Sequence, residues 1–233
     1  MAAAGSLPLY QQISELLIRD IASGRLIDGE RLPPERDMAA DLGIAVGTLR
    51  QALKDLTSKG LLDRVQGSGN YIRAKSDPAS VYAMFRLELL SGGGLPTAKV
   101  ISVERRVKDP ALPRFGDCAE GHRIRRLRFL SGQLAAIEEI WLDGDYAPQI
   151  ALSDLSESLY LYYRQRLGLW IARAEDGIGQ GEVPDWSPAD FPHAAGALLP
   201  FITRISWGQD GRAAEASWTW FDPKIVRYVA RLK

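Results

Sequence analysis

The run from Leu32 to Arg73, LPPERDMAADLGIAVGTLRQALKDLTSKGLLDRVQGSGNYIR, constrains the fold more than any other stretch. Pro33 and Pro34 open a helix, because the N–H that proline lacks has no partner in a first turn anyway. Met38, Ala39 and Leu42 give that helix an apolar side, and Gly43 ends it. A second helix is predicted after Ile44 and runs to Lys59. Its leucines 49, 53 and 56 keep helical spacing, and Gly60 is a stop. Two helices parted by a few residues around a glycine have the helix-turn-helix layout. LLDRV, the turn QGSG and NYIR then read as a hairpin with glycine in the loop. The whole is a winged helix-turn-helix.

On the second helix, Thr48, Arg50, Gln51 and Lys54 lie opposite the leucines. Arginine can fork onto a guanine edge or hold a phosphate, and threonine can bond a phosphate or touch a thymine methyl. Arg36, near the start of the first helix of the pair, can hold DNA backbone or reach a base. Gly67 and Gly69 let the wing come close to a groove. The plain alternative is a small three-helix unit with ordinary solvated charges, and residue types alone leave both open.

The chain has 233 residues, enough for one or two domains, and 46% of them are hydrophobic. A formal net charge of zero argues against a protein held on nucleic acid by bulk charge, though not against a local basic face. The single cysteine, Cys118, excludes an intramolecular disulfide and a cysteine-built zinc site. MAAAGSLPLY has neither the basic nor the apolar region of a signal peptide. No run approaches the ~18 apolar residues of a membrane span. A cytoplasmic chain without cofactor or metal is expected.

Ahead of the motif, Leu9 to Ser23 form a helix with one apolar stripe, Leu9, Ile13, Leu16, Leu17 and Ile21, ended by Gly24. Its expected role is to support the recognition helix. AKSDPAS is polar, holds a proline and reads as a linker. The domains are therefore placed at 1–73 and 82–233, with the linker at 74–81. Beyond it, VYAMFRLEL is either a short helix or a strand, and KVISVERRV is a strand. DPALPRFGDCAEG is irregular with a short helix. HRIRRLRFL and LAAIEEIWL are strands about an SGQ turn. A helix runs from Ser158 to Gly168, WIARAEDGIG is a strand, and WSPADFPHAAGA is a helix kinked by Pro192. LPFITRISW and AAEASWTWF make a hairpin through GQDG. Strands in hairpins rather than βαβ units give an α+β domain on an antiparallel sheet.

Arg126 and Arg128 are two apart on a strand, so they share a face. Paired arginines invite a phosphate or carboxylate, although an exposed strand face is the plain alternative. Ser158 opens a helix, where free N–H groups suit an anion or where the serine is simply a cap. Glu138, across the SGQ turn, can orient ligand hydroxyls or neutralise the arginines.

These segments resemble known families. The run from PLYQQISELLIRDIASGRLIDGERLP to the end of the wing is similar to the N-terminal domain of the GntR family of bacterial transcription regulators. The resemblance implies that Arg36, Thr48, Arg50 and Gly67 touch DNA. Val46, with Gln66 and Ser68 of the wing turn, completes the candidate DNA-binding set. The family usually has serine or threonine then arginine where this chain has Ala45 and Val46, so its usual GT…AC inverted core is not carried over. RRLRFLSGQLAAIEEIWL, SESLYLYYRQRLG and LPFITRISWGQDGRAAEASWTWF resemble the UTRA effector domain of the HutC subfamily. That domain is chorismate lyase-like in fold and binds small molecules without turning them over. The resemblance implies an effector site of Arg126, Arg128, Glu138, Ser158 and Tyr160, with Glu215 on the last hairpin. FDPKIVRYV departs from the family, placing Phe221 and Lys224 where it usually carries an arginine-bearing aromatic motif.

The expected function is a homodimeric repressor that binds an inverted-repeat DNA operator and is released by a small-molecule effector, anionic by the arginines. The alternative is a DNA-binding regulator whose effector site is degenerate and does not respond to ligand. An enzyme is disfavoured: there is no nucleophile–base pair, the two histidines, His122 and His193, do not make one, and fold analogy does not carry activity. A helical, metal-binding effector domain would need several ligating histidines.

Overall fold

A computed structural model describes residues 7–74, 81–82, 84–155 and 157–231. They form two compact units: residues 7–86 with 228–231, and residues 87–227. Most of the expected linker, residues 75–80, lies outside the described residues.

The first unit holds helices α1 (Leu9–Ala22), α2 (Glu35–Asp41) and α3 (Val46–Ser58), then strands β1 (Leu62–Val65) and β2 (Gly69–Ile72). α1 lies against α3. The apolar stripe of α1 (Ile13, Leu16, Leu17, Ile21) and that of α3 (Leu49, Ala52, Leu53, Leu56) are both buried. Ser14 Oγ, also buried, donates to Asp55 Oδ2 across this interface. Lys59 adds an ion pair to Asp55 at 2.7 Å and a longer one to Glu15 at 3.7 Å. α2 begins at Glu35 rather than at the prolines, because Pro34 is extended (ψ 138) and serves as the cap position. β1 and β2 pair antiparallel from Leu62↔Ile72 to Val65↔Gly69. The turn between them needs Gly67, whose φ of 75° costs other residues strain. Arg31 bridges Tyr71 and so adds a third backbone segment to the wing.

The second unit is built on a six-stranded antiparallel sheet. Its strands are β4 (Pro96–Val107), β5 (Glu120–Leu130), β6 (Gln133–Asp143), β7 (Ile171–Glu182), β8 (Leu198–Gly208) and β9 (Ala213–Phe221), in the order β4-β5-β6-β9-β8-β7. Two three-stranded meanders thus meet at the β6–β9 pair. β3 (Leu87–Leu89) and β10 (Val226–Tyr228) form a small separate pair. Between β6 and β7, α4 (Leu159–Tyr162) runs into a π turn at Tyr163–Leu167, closed by Gly168 in the left-handed conformation (φ 64). One face of the sheet is covered at one end by Val183, Phe191 and Leu199 against Leu127, Ile137 and Trp220. At the other end Leu112 and Phe115 pack on Trp141 and Ala216.

Two sequence expectations fail. WSPADFPHAAGA is a chain of turns, not a kinked helix. Pro188 and Pro192 each remove a donor and restrict the residue before them, and the segment closes short bonds instead, Ser187 N–H to Pro184 O and Phe191 N–H to Pro188 O. DPALPRFGDCAEG holds turns and no helix. Gly116 and Lys108 explain its irregular path: both approach the buried Asp143, Lys108 Nζ at 2.5 Å. In VYAMFRLEL the described residues 81, 82 and 84 lie in turns and Leu87–Leu89 forms β3, while residue 83 lies outside the described residues.

Candidate DNA-reading face and effector site

Because Leu49, Leu53 and Leu56 point inward, Arg50, Gln51 and Lys54 face solvent, and Thr48 is half-buried beside them. Arg36 is exposed on α2 and has no ion-pair partner among the described residues. Val46 is the first residue of α3. A Cβ on Gly47 would meet nothing within 4 Å, so packing does not require glycine there. Gln66 and Gly67 are exposed at the wing tip; Ser68 is half-buried, its Oγ 2.7 Å from Tyr71 Oη.

Arg50 is not a free cation. Its Nε donates to Glu35 Oε2 at 2.7 Å, and Arg64 Nη2, from β1, donates to Glu35 Oε1 at 2.7 Å. The hydrogen bond from Arg50 is the main reason the Glu35 carboxyl lies below its usual range; burial opposes it, and Arg64 adds to the lowering. Arg64 Nε also donates to its cross-strand neighbour Asn70 at 3.2 Å. Glu35 and Arg64 were not singled out from sequence. Glu35 stands beside Arg36, and Arg64 is one of several exposed charges on the wing, so only the folded register joins them.

On the sheet of the second unit, Arg126 is in register with Glu138. Arg126 Nε donates to Glu138 Oε2, and Arg128 Nη2 donates to the same oxygen at 3.1 Å. All three side chains are more than nine-tenths buried. Burial would raise the Glu138 carboxyl, but the charges of Arg126 and Arg128 outweigh it and hold the group below its usual range. Arg126 Nη1 is buried and makes no hydrogen bond among the described residues.

Tyr160 and Glu215 form a second cluster. Tyr160 Oη donates to Glu215 Oε1 at 3.1 Å, and Tyr163 Oη to Oε2 at 2.8 Å. Ser206 Oγ donates to Glu215 Oε1 at 3.1 Å. Here burial dominates and raises the Glu215 carboxyl, although Tyr163, Arg126, Tyr160 and Arg204 pull the other way. The Arg126 charge therefore reaches both clusters. Ser158 is the cap of α4: its Oγ accepts from Leu161 N–H at 3.3 Å. Sequence reasoning missed Tyr163, Ser206 and the cross-strand pair Arg204–Asp176, whose two bonds measure 2.5 and 2.7 Å. Alternation along ITRIS and AEASW puts Arg204 with Ser206 and Glu215 with Ser217 on one face, which was the available signal. Phe221 is buried at the end of β9, and Lys224 N–H donates to Asp222.

The profile of the UTRA domain matches residues 91–227, and that of bacterial regulatory proteins, gntR family, matches residues 9–72. The HTH-type transcriptional regulator SmoD of Agrobacterium fabrum is 63% identical over 229 residues, 98% of each protein. The chain belongs to the GntR family. Among its members, the histidine utilization repressor of Pseudomonas aeruginosa is 26% identical over 164 residues, covering 68% of this chain and 66% of that protein. The solved structure of the possible transcriptional regulator YydK from Bacillus subtilis shares the fold, with a TM-score of 0.52 at 21% identity, over 97% of this chain and 100% of that one. This GntR protein is thus a HutC-like transcription regulator, with a DNA-binding winged helix-turn-helix and a UTRA effector domain. Among the described residues, no helix is long and apolar enough to cross a membrane, and no group of three or more His, Cys, Asp or Glu side chains could hold a metal.

Proposed function

We propose that this regulator is a cytoplasmic repressor that binds an inverted-repeat operator as a homodimer and leaves it when a small anionic effector enters the UTRA domain. Each recognition helix, α3, lies in a major groove of one half-site. Thr48 and Arg50 meet bases or phosphates there, Val46 offers an apolar contact, and Arg36 holds backbone. Gln66, Gly67 and Ser68 bring the wing to the adjoining groove. In the effector domain, Arg126 and Arg128 receive the anion, with Glu138 orienting them. Tyr160 and Glu215 bond polar groups of the ligand, and Ser158 fixes the helix that carries Tyr160.

The observation that carries this reading is two buried arginines, Arg126 and Arg128, converging on Glu138, with Arg126 Nη1 left without a hydrogen-bond partner among the described residues. An anion within reach of Arg126 and Arg128 would accept from that buried N–H in a charge-assisted hydrogen bond. Effector binding then favours a dimer whose winged heads no longer match the half-site spacing. The coupling between the two sites is on the order of 1–3 kcal/mol.

The test uses the full-length protein and a duplex enriched by it from a randomised pool. Thermal shift across a panel of phosphorylated, sulfonated, carboxylated and neutral small molecules comes first. Compounds that stabilise the protein are then tried for release of the duplex. The expected result is stabilisation by one anionic class and release by the same compounds. A protein that binds its duplex but is neither stabilised nor released by any anion would instead have a degenerate site.

A further inference from the structure

The geometry points to Glu35 as the positioning residue that gives this protein its sequence discrimination, by clamping the recognition-helix arginine and the wing arginine together. This rests on the DNA-reading role proposed for α3 and the wing. Arg50 on α3 and Arg64 on β1 come from different elements, yet one carboxylate accepts from both, each oxygen taking one arginine at 2.7 Å. Glu35 is the more protected partner, with 22% of its side chain exposed against 63% for Arg50 and 43% for Arg64. Asn70 Oδ1 accepts a further hydrogen bond from Arg64 Nε at 3.2 Å. Arg31, Glu35, Arg64 and Gln66 line a groove of about 590 Å³ between the start of α2 and the wing.

Two consequences follow. An unheld arginine takes whichever phosphate or base is nearest, whereas a held one presents its remaining N–H groups in one direction, and a fixed fork is what separates guanine from other bases. The second consequence is repulsion. A carboxylate beside a phosphate backbone penalises every DNA contact, and only a site that satisfies both arginines offsets the penalty. Glu35 would thus lower non-specific affinity while preserving specific affinity, which is how repulsion sharpens recognition. Position 46 is valine here, so no arginine at that position shares the task.

The experiment measures affinity for the enriched duplex and for a scrambled duplex of equal length, by fluorescence anisotropy at several salt concentrations. For Glu35→Gln the expected result is tighter binding to the scrambled duplex and a specific-to-scrambled ratio reduced about tenfold. Glu35→Asp, which keeps the charge but is too short to reach both arginines, should restore weak scrambled binding without restoring the full ratio. Arg64→Met should lower the ratio in the native background and have little further effect with Glu35→Gln. That cycle measures the clamp by coupling, so a general loss of fold cannot imitate it. An unchanged ratio in Glu35→Gln, or additive effects of the two substitutions, would overturn the clamp while leaving the DNA-reading role standing. If the native protein enriches no sequence at all, both fall.

Discussion

Glu138 and Glu215 are buried on the same face of one sheet, yet their carboxyls shift in opposite directions. Two guanidiniums face Glu138 and overcome the burial that would raise it. Glu215 is held by hydroxyls, and burial wins. The consequences for stability have opposite signs. Glu138, depressed in the fold, contributes stability that is fully present above the ordinary glutamate range and is lost as pH falls through its folded value. Glu215, raised in the fold, costs stability as pH rises from its unfolded value through its folded one. Glu215→Gln is therefore expected to raise the melting temperature near pH 7, with the gain vanishing at pH 4; calorimetry at both values checks it, and a variant less stable at neutral pH would contradict the assignment. Arg126→Ala leaves Glu138 with one cation instead of two, so it should cost roughly 3 kcal/mol of effector-domain stability. The variant should still bind its enriched duplex but require far more effector for release. Titrating release with a compound that works on the native protein decides this: a normal response would remove Arg126 from the site.

Elements explain where sequence reading succeeded and where it failed. The helices and wing of the first unit were legible because their stripes and stops agree: Leu49, Leu53 and Leu56 lie on the buried side and Gly43, Gly60 and Gly67 take the positive φ values that end or turn the chain. Leu53→Ala should therefore cost about 3 kcal/mol and weaken DNA binding only through lost fold, which chemical denaturation followed alongside anisotropy would show. The segment 186–197 was misread because its apolar residues, Trp186, Phe191 and Ala197, suggest a helical face. Its two prolines decide otherwise, and the residues pack on the sheet as turns. The strand pair bearing Arg126 and Glu138 was legible from alternation and a short turn, whereas the link from Tyr163 to Glu215 spans 52 positions and leaves no local trace. Gly116 is a further feature that only folded contacts explain. A Cβ there would lie 2.0 Å from Asp143 Oδ2, at φ 54. That carboxylate is already fixed by Lys108 and by the N–H groups of Cys118 and Asp145. Gly116→Ala should destabilise the effector domain by more than about 3 kcal/mol, visible as a lowered melting temperature, and near-native stability would show the carboxylate free to move.

For the whole molecule, the zero net charge means that attraction to DNA must come from one face rather than from the chain at large. Arg36, Arg50, Lys54 and Arg64 are exposed on α2, α3 and the wing, and Glu35 joins Arg50 to Arg64. Binding should weaken steeply with salt, each phosphate contact contributing about 0.9 to the logarithmic slope. In the proposed reading, α3 presents its polar side to DNA while its buried leucines hold α1. The measurement that reaches this most directly is the affinity of Arg50→Ala for the enriched duplex, beside a thermal melt of the same preparation. A loss of at least about tenfold with the melt unchanged is the predicted result. Native affinity in a folded Arg50→Ala protein would mean that DNA meets some other surface.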